Sequence, residues 1–157
     1  MAEVISVRFA ARADLDFVGR EGHVAADVLR RKVEWREVVV AEQGGELVGQ
    51  LRLEYLWSVV PYVALVSVAP GRRRAGVGRA MLRFVEEFLR EGGHDALYSS
   101  SQADEPGPQA WHRRAGFEEC GYIAGINRGV GEVFFRKRLT RDRAFGNDRS
   151  GRSEVGG

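Results

Sequence analysis

Residues 66–82, VSVAPGRRRAGVGRAML, decide the fold of this 157-residue chain. The apolar run at the start of the stretch predicts a buried strand, the arginine- and glycine-rich segment predicts a turn, and the residues that follow predict the first turns of a helix. Arg73, Gly76 and Gly78 have the spacing R-x-x-G-x-G. Glycine lets the backbone approach a bulky anion, and the free N–H groups and the dipole of a helix N-terminus favour negative charge. The stretch therefore predicts a polyphosphate-binding loop.

The helix after this loop has one apolar face. Apolar residues recur at i, i+3, i+4, i+7, i+8, i+11 and i+12, namely Val77, Ala80, Met81, Phe84, Val85, Phe88 and Leu89. Gly92 and Gly93 predict the end of the helix. This stripe is typical of core packing and by itself indicates no function.

Arginines gather at the entrance of the helix, at Arg72, Arg73, Arg74, Arg79 and Arg83. The positive end of the helix dipole disfavours a nearby cation by roughly 0.3–1 kcal/mol, and like charges four residues apart repel each other. An anion bound among the arginines would explain their placement. A solvated basic face is the alternative interpretation.

Two familiar phosphate-binding motifs do not fit this loop. The dinucleotide fingerprint needs a small residue where the chain has Met81, and the Walker A loop needs a G-K-[ST] tripeptide, which the loop lacks. R-x-x-G-x-G between a strand and a helix instead resembles the pyrophosphate-binding motif of the GNAT N-acetyltransferase superfamily, which binds acetyl-CoA. A second segment, residues 109–117 (QAWHRRAGF), resembles that superfamily's A-x-x-F-Y-x-x-x-G-F, with Trp111 and His112 in the Phe-Tyr places.

The order of the predicted elements, β-α-α-β-β-β-α-β-α-β-β, matches that superfamily. The resemblance implies an α/β (α+β) fold, a mixed, mostly antiparallel central sheet flanked by helices, over residues 1–139. Pro61 is expected to break the chain between the third and fourth strands. Residues 140–157 are polar, of mixed charge and glycine-rich, and we expect a disordered tail there.

The third predicted strand, residues 47–57, has two distinct faces. Alternation places Leu47, Gly49, Leu51, Leu53, Tyr55 and Trp57 on one face, and Val48, Gln50, Arg52, Glu54 and Leu56 on the other. The polar row on the second face cannot all be buried without partners. It therefore faces water or lines a cleft, and we favour the cleft.

The resemblance implies where acetyl-CoA binds. In this superfamily the fourth and fifth strands splay apart, and the pantetheine arm lies in the gap. By position, Val66 and Val68 are the residues whose backbone groups pair with the pantetheine amides. The loop implied to hold the pyrophosphate, mainly through its backbone, comprises Arg73, Arg74, Ala75, Gly76, Val77, Gly78 and Arg79. Acetyl-CoA is thus the expected co-substrate, and no metal site is expected.

The implied reaction is direct attack of a primary amine, on a small molecule or a peptide, on the thioester of acetyl-CoA. His112 stands where the superfamily usually has the tyrosine that protonates the leaving thiolate. It could donate an N–H to the sulfur, act as an acid if its pKa is raised, or be a helix-surface histidine.

A general base is needed if the acceptor arrives as an ammonium ion. Glu54 is our first choice and Glu132 the second, although either could be a solvated carboxylate and a chain of water could do the work. Trp57 and Tyr62 are candidates for the wall of an acceptor pocket, with a place in the core as the alternative.

Composition excludes several other classes. The formal net charge of +2 with interspersed acids does not favour a nucleic-acid partner. A single cysteine, Cys120, excludes an intrachain disulfide framework, and no run of apolar residues approaches a membrane span. We expect a cytoplasmic protein, with a homodimer left open. The alternative to an enzyme is a catalytically silent acyl-CoA-binding sensor or interaction module.

Overall fold

The computed structural model describes residues 3–139, so the predicted tail at 140–157 lies outside the described residues. Short 3-10 turns at Arg12–Asp14, Gly19–Glu21 and Pro70–Arg72 join the longer elements. In chain order those elements are β1 (Ile5–Phe9), α1 (Leu15–Val18), α2 (Ala26–Glu34), β2 (Val38–Gln43), β3 (Glu46–Leu56), β4 (Val60–Val68), α3 (Val77–Glu91), β5 (Ala96–Gln102), α4 (Pro106–Arg114), β6 (Glu118–Asn127) and β7 (Val130–Arg138).

The seven strands of the described region form one sheet in the order β1-β2-β3-β4-β5-β7-β6. Every neighbouring pair is antiparallel except β4 and β5, which run parallel. We define the back face as the one that packs against α3 and α4, and the front face as the one beneath α1 and α2. The mixed, mostly antiparallel sheet flanked by helices is thus confirmed.

The sheet has a hydrophobic core on each face. The back core joins Val39, Leu51 and Leu53 to the apolar face of α3. The smaller front core joins Val38 and Val40 to α1 and α2. This alternation of β2 side chains between the two cores follows from the two-residue period of a strand.

The structure confirms the predicted long helix, α3. Its periodic residues are buried or half-buried, and Gly92 and Gly93 follow its last turn, with Gly93 at φ +86°. The periodicity missed Glu86, which is 4% exposed and lies 2.6 Å from the Nζ atom of Lys137 on β7. A carboxylate on the buried face of a helix needs such a partner.

The predicted alternation of β3 is wrong at its start. Gly49 pairs with Ala41 and Leu47 pairs with Glu42, so Val48 is an extra residue at a β-bulge. Val48 joins Gly49 on the back face, while Leu47 packs with the front core. The bulge shifts the parity by one residue, which alternation alone could not reveal.

Pro61 does not break the chain but lies inside β4, opposite Tyr55. The missing N–H is tolerated because the pairing of β4 with β5 begins only after Pro61, at Tyr62. The polar row of β3 does not face open water, which was the alternative to a cleft. Gln50 is 3% exposed and Arg52 is 6% exposed, whereas Glu54 is half-buried.

Candidate cofactor and active site

The parallel strands β4 and β5 part near their middle. They pair at Tyr62 with Tyr98 and at Val63 with Ser99, and beyond these pairs β4 continues against β3 alone. A second β-bulge, at Ala64, lies at the point of separation, because Leu53 pairs with Val63 and Arg52 pairs with Leu65. A gap therefore opens between residues 64–68 of β4 and the end of β5.

The backbone of β4 presents polar groups to this gap, of which the carbonyl of Val68 accepts a long hydrogen bond from Arg73 Nε at 3.4 Å. The N–H of Ala69 donates to the carbonyl of Val48 at 2.8 Å, so the backbone of Ala69 faces β3. Backbone groups of successive strand residues point in opposite directions. The N–H and C=O groups of Val68 and Val66 therefore face the gap, where an extended amide chain could pair with them.

The loop at the end of β4 leads into the exposed N-terminus of α3. Gly76 is the N-cap residue, in a left-handed conformation at φ +86°, and Arg74 has φ +65°. The first helical hydrogen bond joins the N–H of Ala80 to the carbonyl of Gly76 at 2.9 Å. The N–H groups of Val77, Gly78 and Arg79 come before that bond and so have no acceptor within the helix.

This N-terminus lies at the mouth of the gap. A Cβ atom built on Gly78 would lie 3.7 Å from Val66 of β4 and 3.6 Å from Trp111 of α4. Around Gly76 nothing lies within 4 Å of such an atom. The loop thus presents unpaired N–H groups, the positive end of a helix and open space, which together suit a pyrophosphate.

The arginines of the loop do not act as a single cluster. Arg72 turns away from the gap, with one Nη atom 3.2 Å from Glu3 and 3.0 Å from Gln43. Arg79 donates to the carbonyl of Arg114 at the end of α4. The anion therefore need not explain these two side chains. Arg73, Arg74 and Arg83 are exposed, and Arg73 lies beside the gap because its Nε donates to the carbonyl of Val68 at 3.4 Å.

His112 is a buried residue of α4, not a helix-surface histidine. Its Nδ1 lies 2.8 Å from the carbonyl of Pro108 and its Nε2 lies 2.7 Å from Ser99 Oγ. The ring stacks on Phe135 at 4.7 Å between centroids. Because a carbonyl only accepts, Nδ1 donates to Pro108. In the neutral ring Nε2 accepts from Ser99 at the shorter distance, in competition with the Val63 carbonyl, which lies 3.3 Å from Ser99 Oγ.

Burial lowers the pKa of His112, despite the opposing effects of the Pro108 carbonyl and the charge of Glu132. The imidazole is therefore neutral, which disagrees with the alternative of a protonated acid with a raised pKa. Ser99 belongs to the last pair before the strands part, so His112 reaches the head of the gap through Ser99.

The two candidate bases have different surroundings. Glu54 lies on the front face beside Tyr62, with 43% of its side chain exposed, and is 3.9 Å from Lys32. Glu132 accepts hydrogen bonds at both carboxylate oxygens, from Ser100 and from Asn127, each at 2.7 Å.

A hydrogen-bonded chain links Glu132 to the head of the gap. Tyr62 Oη lies 2.5 Å from Ser100 Oγ, and Ser100 Oγ donates to Glu132. Since the hydroxyl proton of Ser100 is given to the carboxylate, Ser100 accepts from Tyr62. Burial raises the pKa of Tyr62; the hydrogen bond with Ser100 opposes this, and the charges of Glu132 and Glu54 add to it, so the phenol keeps its proton. The sequence singled out Tyr62 and Glu132 separately but missed Ser100 and Asn127.

An apolar groove of about 780 Å³ lies on the sheet beside the hydrogen-bonded residues Tyr62, Ser100 and Glu132. Its floor includes Phe134, whose ring centroid lies 6.1 Å from that of Tyr62. Trp57 lies in its wall and is 85% exposed at the turn between β3 and β4, which disagrees with a place in the core. Other lining residues are Val59, Val60, Tyr98, Tyr122 and Ile123.

Residues 3–139 contain no group of three or more histidine, cysteine, aspartate or glutamate side chains arranged to hold a metal ion. None of the helices in this same part of the chain is long and apolar enough to cross a membrane.

Comparison with known proteins identifies this architecture. Residues 11–117 match the model of the acetyltransferase (GNAT) family. The chain is 31% identical over 97 residues to streptothricin acetyltransferase of Streptomyces lavendulae. The aligned segment covers 60% of this chain and 51% of that protein. The chain spans about half or less of the length of the curated relatives that it matches.

Two solved structures share the fold over nearly their whole length. A ribosomal-protein-alanine N-acetyltransferase from Brucella melitensis superposes with a TM-score of 0.73 at 25% identity, covering 85% of this chain and 99% of that one. The yncA protein of Salmonella typhimurium, solved with its cofactor acetyl-CoA, superposes with a TM-score of 0.74 at 19% identity, covering 89% and 96%.

Proposed function

The chain belongs to the acetyltransferase (GNAT) family, and on this premise we propose that it is an N-acetyltransferase that transfers the acetyl group of acetyl-CoA to a primary amine. The observation that carries the proposal is the gap between β4 and β5, which opens beside the free N-terminus of α3. Relatives named as a streptothricin acetyltransferase and a ribosomal-protein-alanine N-acetyltransferase support an amine acceptor.

In this proposal the pantetheine arm lies in the gap and pairs with the backbone of Val66 and Val68. The pyrophosphate is held by the N–H groups of the loop from Arg73 to Arg79. Loop side chains contribute little, since Ala75 and Val77 are apolar and the Arg79 guanidinium is held by α4. Charge from Arg73 and Arg74 assists, because both are exposed beside the loop.

Glu132 is the proposed general base, in preference to Glu54. A proton that leaves the ammonium of the acceptor passes to Tyr62 Oη, the phenol proton passes to Ser100, and the proton of Ser100 passes to Glu132. The amine gains its lone pair and the carboxylate becomes a carboxylic acid, so charge is conserved. Glu54 lacks such a chain and lies beside Lys32, which favours a supporting electrostatic role.

The amine then attacks the thioester carbonyl, and the C–S bond breaks as coenzyme A leaves. His112 is proposed to act at this step as a positioning residue, since both ring nitrogens are occupied and Ser99 stands between the ring and the gap. We expect His112→Ala to lower kcat more than it weakens the binding of acetyl-CoA.

The experiment begins with calorimetry of acetyl-CoA binding and continues with a screen of amines in which released coenzyme A is detected by its thiol. Glu132→Gln should lower kcat by about 10²–10⁴-fold, as expected for the loss of general base catalysis, with acetyl-CoA affinity within a few fold of the parent. Glu54→Gln is the control and should keep most of the activity. Equal losses in both variants would refute the chain through Ser100.

The alternative function, a silent acyl-CoA-binding module, predicts tight binding without turnover. It is favoured by the buried, neutral His112 in place of the superfamily's tyrosine. Binding of acetyl-CoA without release of thiol for any amine would establish it.

A further inference from the structure

Arg52 of β3 is a buried cation without a protein partner. It is 6% exposed, and its Nε has no hydrogen-bond partner among residues 3–139. No carboxylate of the described residues lies within ion-pair distance of its guanidinium. Gln50, two residues earlier on the same face, is 3% exposed and has an unpartnered Oε1.

The carboxylates near Arg52 contact other groups, although Glu37 Oε2 is itself buried without a partner. Glu54 is 3.9 Å from Lys32, and Glu37 is 3.6 Å from the same ammonium. Glu21 accepts a hydrogen bond from Ser67 at 2.7 Å. Only the Nε of Arg52 is among the buried atoms without a partner, so the Nη atoms still reach the cleft. Burying part of a guanidinium without a counter-charge is unfavourable, and folding alone gives no reason to place one here. An anion brought by a ligand supplies the missing partner.

The position of Arg52 relates it to the proposed active site. Arg52 pairs with Leu65 of β4, on the stretch where β4 has left β5, and both lie on the front face. Tyr62, which begins the hydrogen-bonded chain to Glu132, also lies on the front face of β4. Neighbouring strands are about 4.8 Å apart, so Arg52 and the head of the gap lie within the reach of one small acceptor.

We propose that Arg52 binds a carboxylate of the acetyl acceptor, so that the substrate is an amine that also bears a carboxylate, an amino acid or a short peptide with a free C-terminus. This inference rests on the proposed acetyltransferase function. The ammonium lies at the chain of Tyr62, Ser100 and Glu132, the carboxylate lies at the guanidinium, and Gln50 Oε1 accepts an N–H of the same ligand. An arginine fork suits a carboxylate because it can form two parallel hydrogen bonds.

The test compares amines that differ in the carboxylate alone. Each α-amino acid, ω-amino acid and dipeptide of a panel is paired with its C-terminal amide, and kcat/KM is measured by thiol release. The parent should prefer the acid by at least about tenfold, the scale of one charge-assisted hydrogen bond. Arg52→Met should bring the ratio close to one through a higher KM for the acid, and Arg52→Lys should retain part of the preference. Arg31→Met, on the exposed side of α2, is the control and should leave the ratio unchanged.

A second readout does not depend on turnover. Amino acids of the panel at millimolar concentration should raise the melting temperature of the parent but not that of Arg52→Met, and that variant without ligand should melt no lower than the parent. Stabilisation by amino acids without acetyl transfer would support the carboxylate site at Arg52 and would overturn the proposed acetyltransferase function. Turnover of amines with equal rates for acid and amide, or a variant that melts lower and keeps the preference, would overturn the role of Arg52.

Discussion

Gly78 should limit the stability of the protein while it permits cofactor binding. It is the second residue of α3, and a Cβ atom there would meet Trp111 at 3.6 Å and Val66 at 3.7 Å, which are ordinary contacts. Gly78→Ala should therefore fold without a clash. Alanine gains about 0.5–1 kcal/mol over glycine in a helix, which for a chain of this size raises the melting temperature by about 1–4 °C.

The same methyl group should weaken the binding of acetyl-CoA. It would occupy the mouth of the gap between Val66 and Trp111, where the pyrophosphate is proposed to approach the N–H groups of α3. Loss of one hydrogen bond to a charged group costs about 1.5–3 kcal/mol, so Gly78→Ala should bind about 10- to 100-fold more weakly. Gly78→Glu adds a like charge and should abolish binding.

Calorimetry and thermal unfolding on the same samples give both quantities. Gly107→Ala is a matched control, since Gly107 is the second residue of α4 and nothing lies within 4 Å of a Cβ placed there. It should keep the affinity of the parent, and because Gly107 precedes Pro108, alanine should gain little stability there. If Gly78→Ala binds acetyl-CoA as tightly as the parent, the pyrophosphate does not lie at this turn and the reasoning fails.

Two further predictions concern charge. Burial lowers the pKa of His112 below its ordinary value of about 6.5, so between the two values the unfolded chain binds a proton that the folded chain does not. The free energy of unfolding should therefore be constant above about pH 7 and fall on acidification through pH 6.5, by up to about 1.4 kcal/mol per pH unit. Urea midpoints measured against pH should show this slope in the parent and a shallower one in His112→Gln. Identical slopes in the two proteins would contradict the prediction. Arg72→Met should leave acetyl-CoA affinity unchanged because Arg72 contacts Glu3 and Gln43, whereas Arg73→Met should weaken binding by a few fold, more at low salt than at high salt. Calorimetry at two salt concentrations measures both, and a tenfold loss from Arg72→Met would place that side chain on the ligand instead.

The features that the sequence predicted well are local ones. The period of α3, the glycines at both of its ends and the apolar run of β4 each depend on residues within a few positions of one another. The bulges at Val48 and Ala64 left no such signal, since both residues are apolar like their neighbours. The exposure of Trp57 was also hidden, because the turn after β3 places Trp57 and Ser58 at positive φ, which neither residue favours.

The site residues that were missed depend on how strands register. Residues 99–101 are three serines, and their sequence does not distinguish them. In the sheet Ser99 points to the back face and bonds His112, whereas Ser100 points to the front face and joins Tyr62 to Glu132. Arg52 was noticed as part of a polar row, but its lack of a partner is a property of the assembled structure alone.

The parting of β4 from β5 has a mechanical consequence. It divides the sheet into two ribbons, β1 to β4 and β5 to β7, whose ladders meet at the pairs Tyr62–Tyr98 and Val63–Ser99. Few backbone pairs join the two halves, so local opening of the sheet should begin between β4 and β5. A coenzyme bonded to β4 and packed against α4 would hold the two halves of the sheet together. At one hundred times its Kd it would raise the free energy of unfolding by about 2.7 kcal/mol. The cellular level of the coenzyme would then set how long the protein resists proteases, as well as how fast it works.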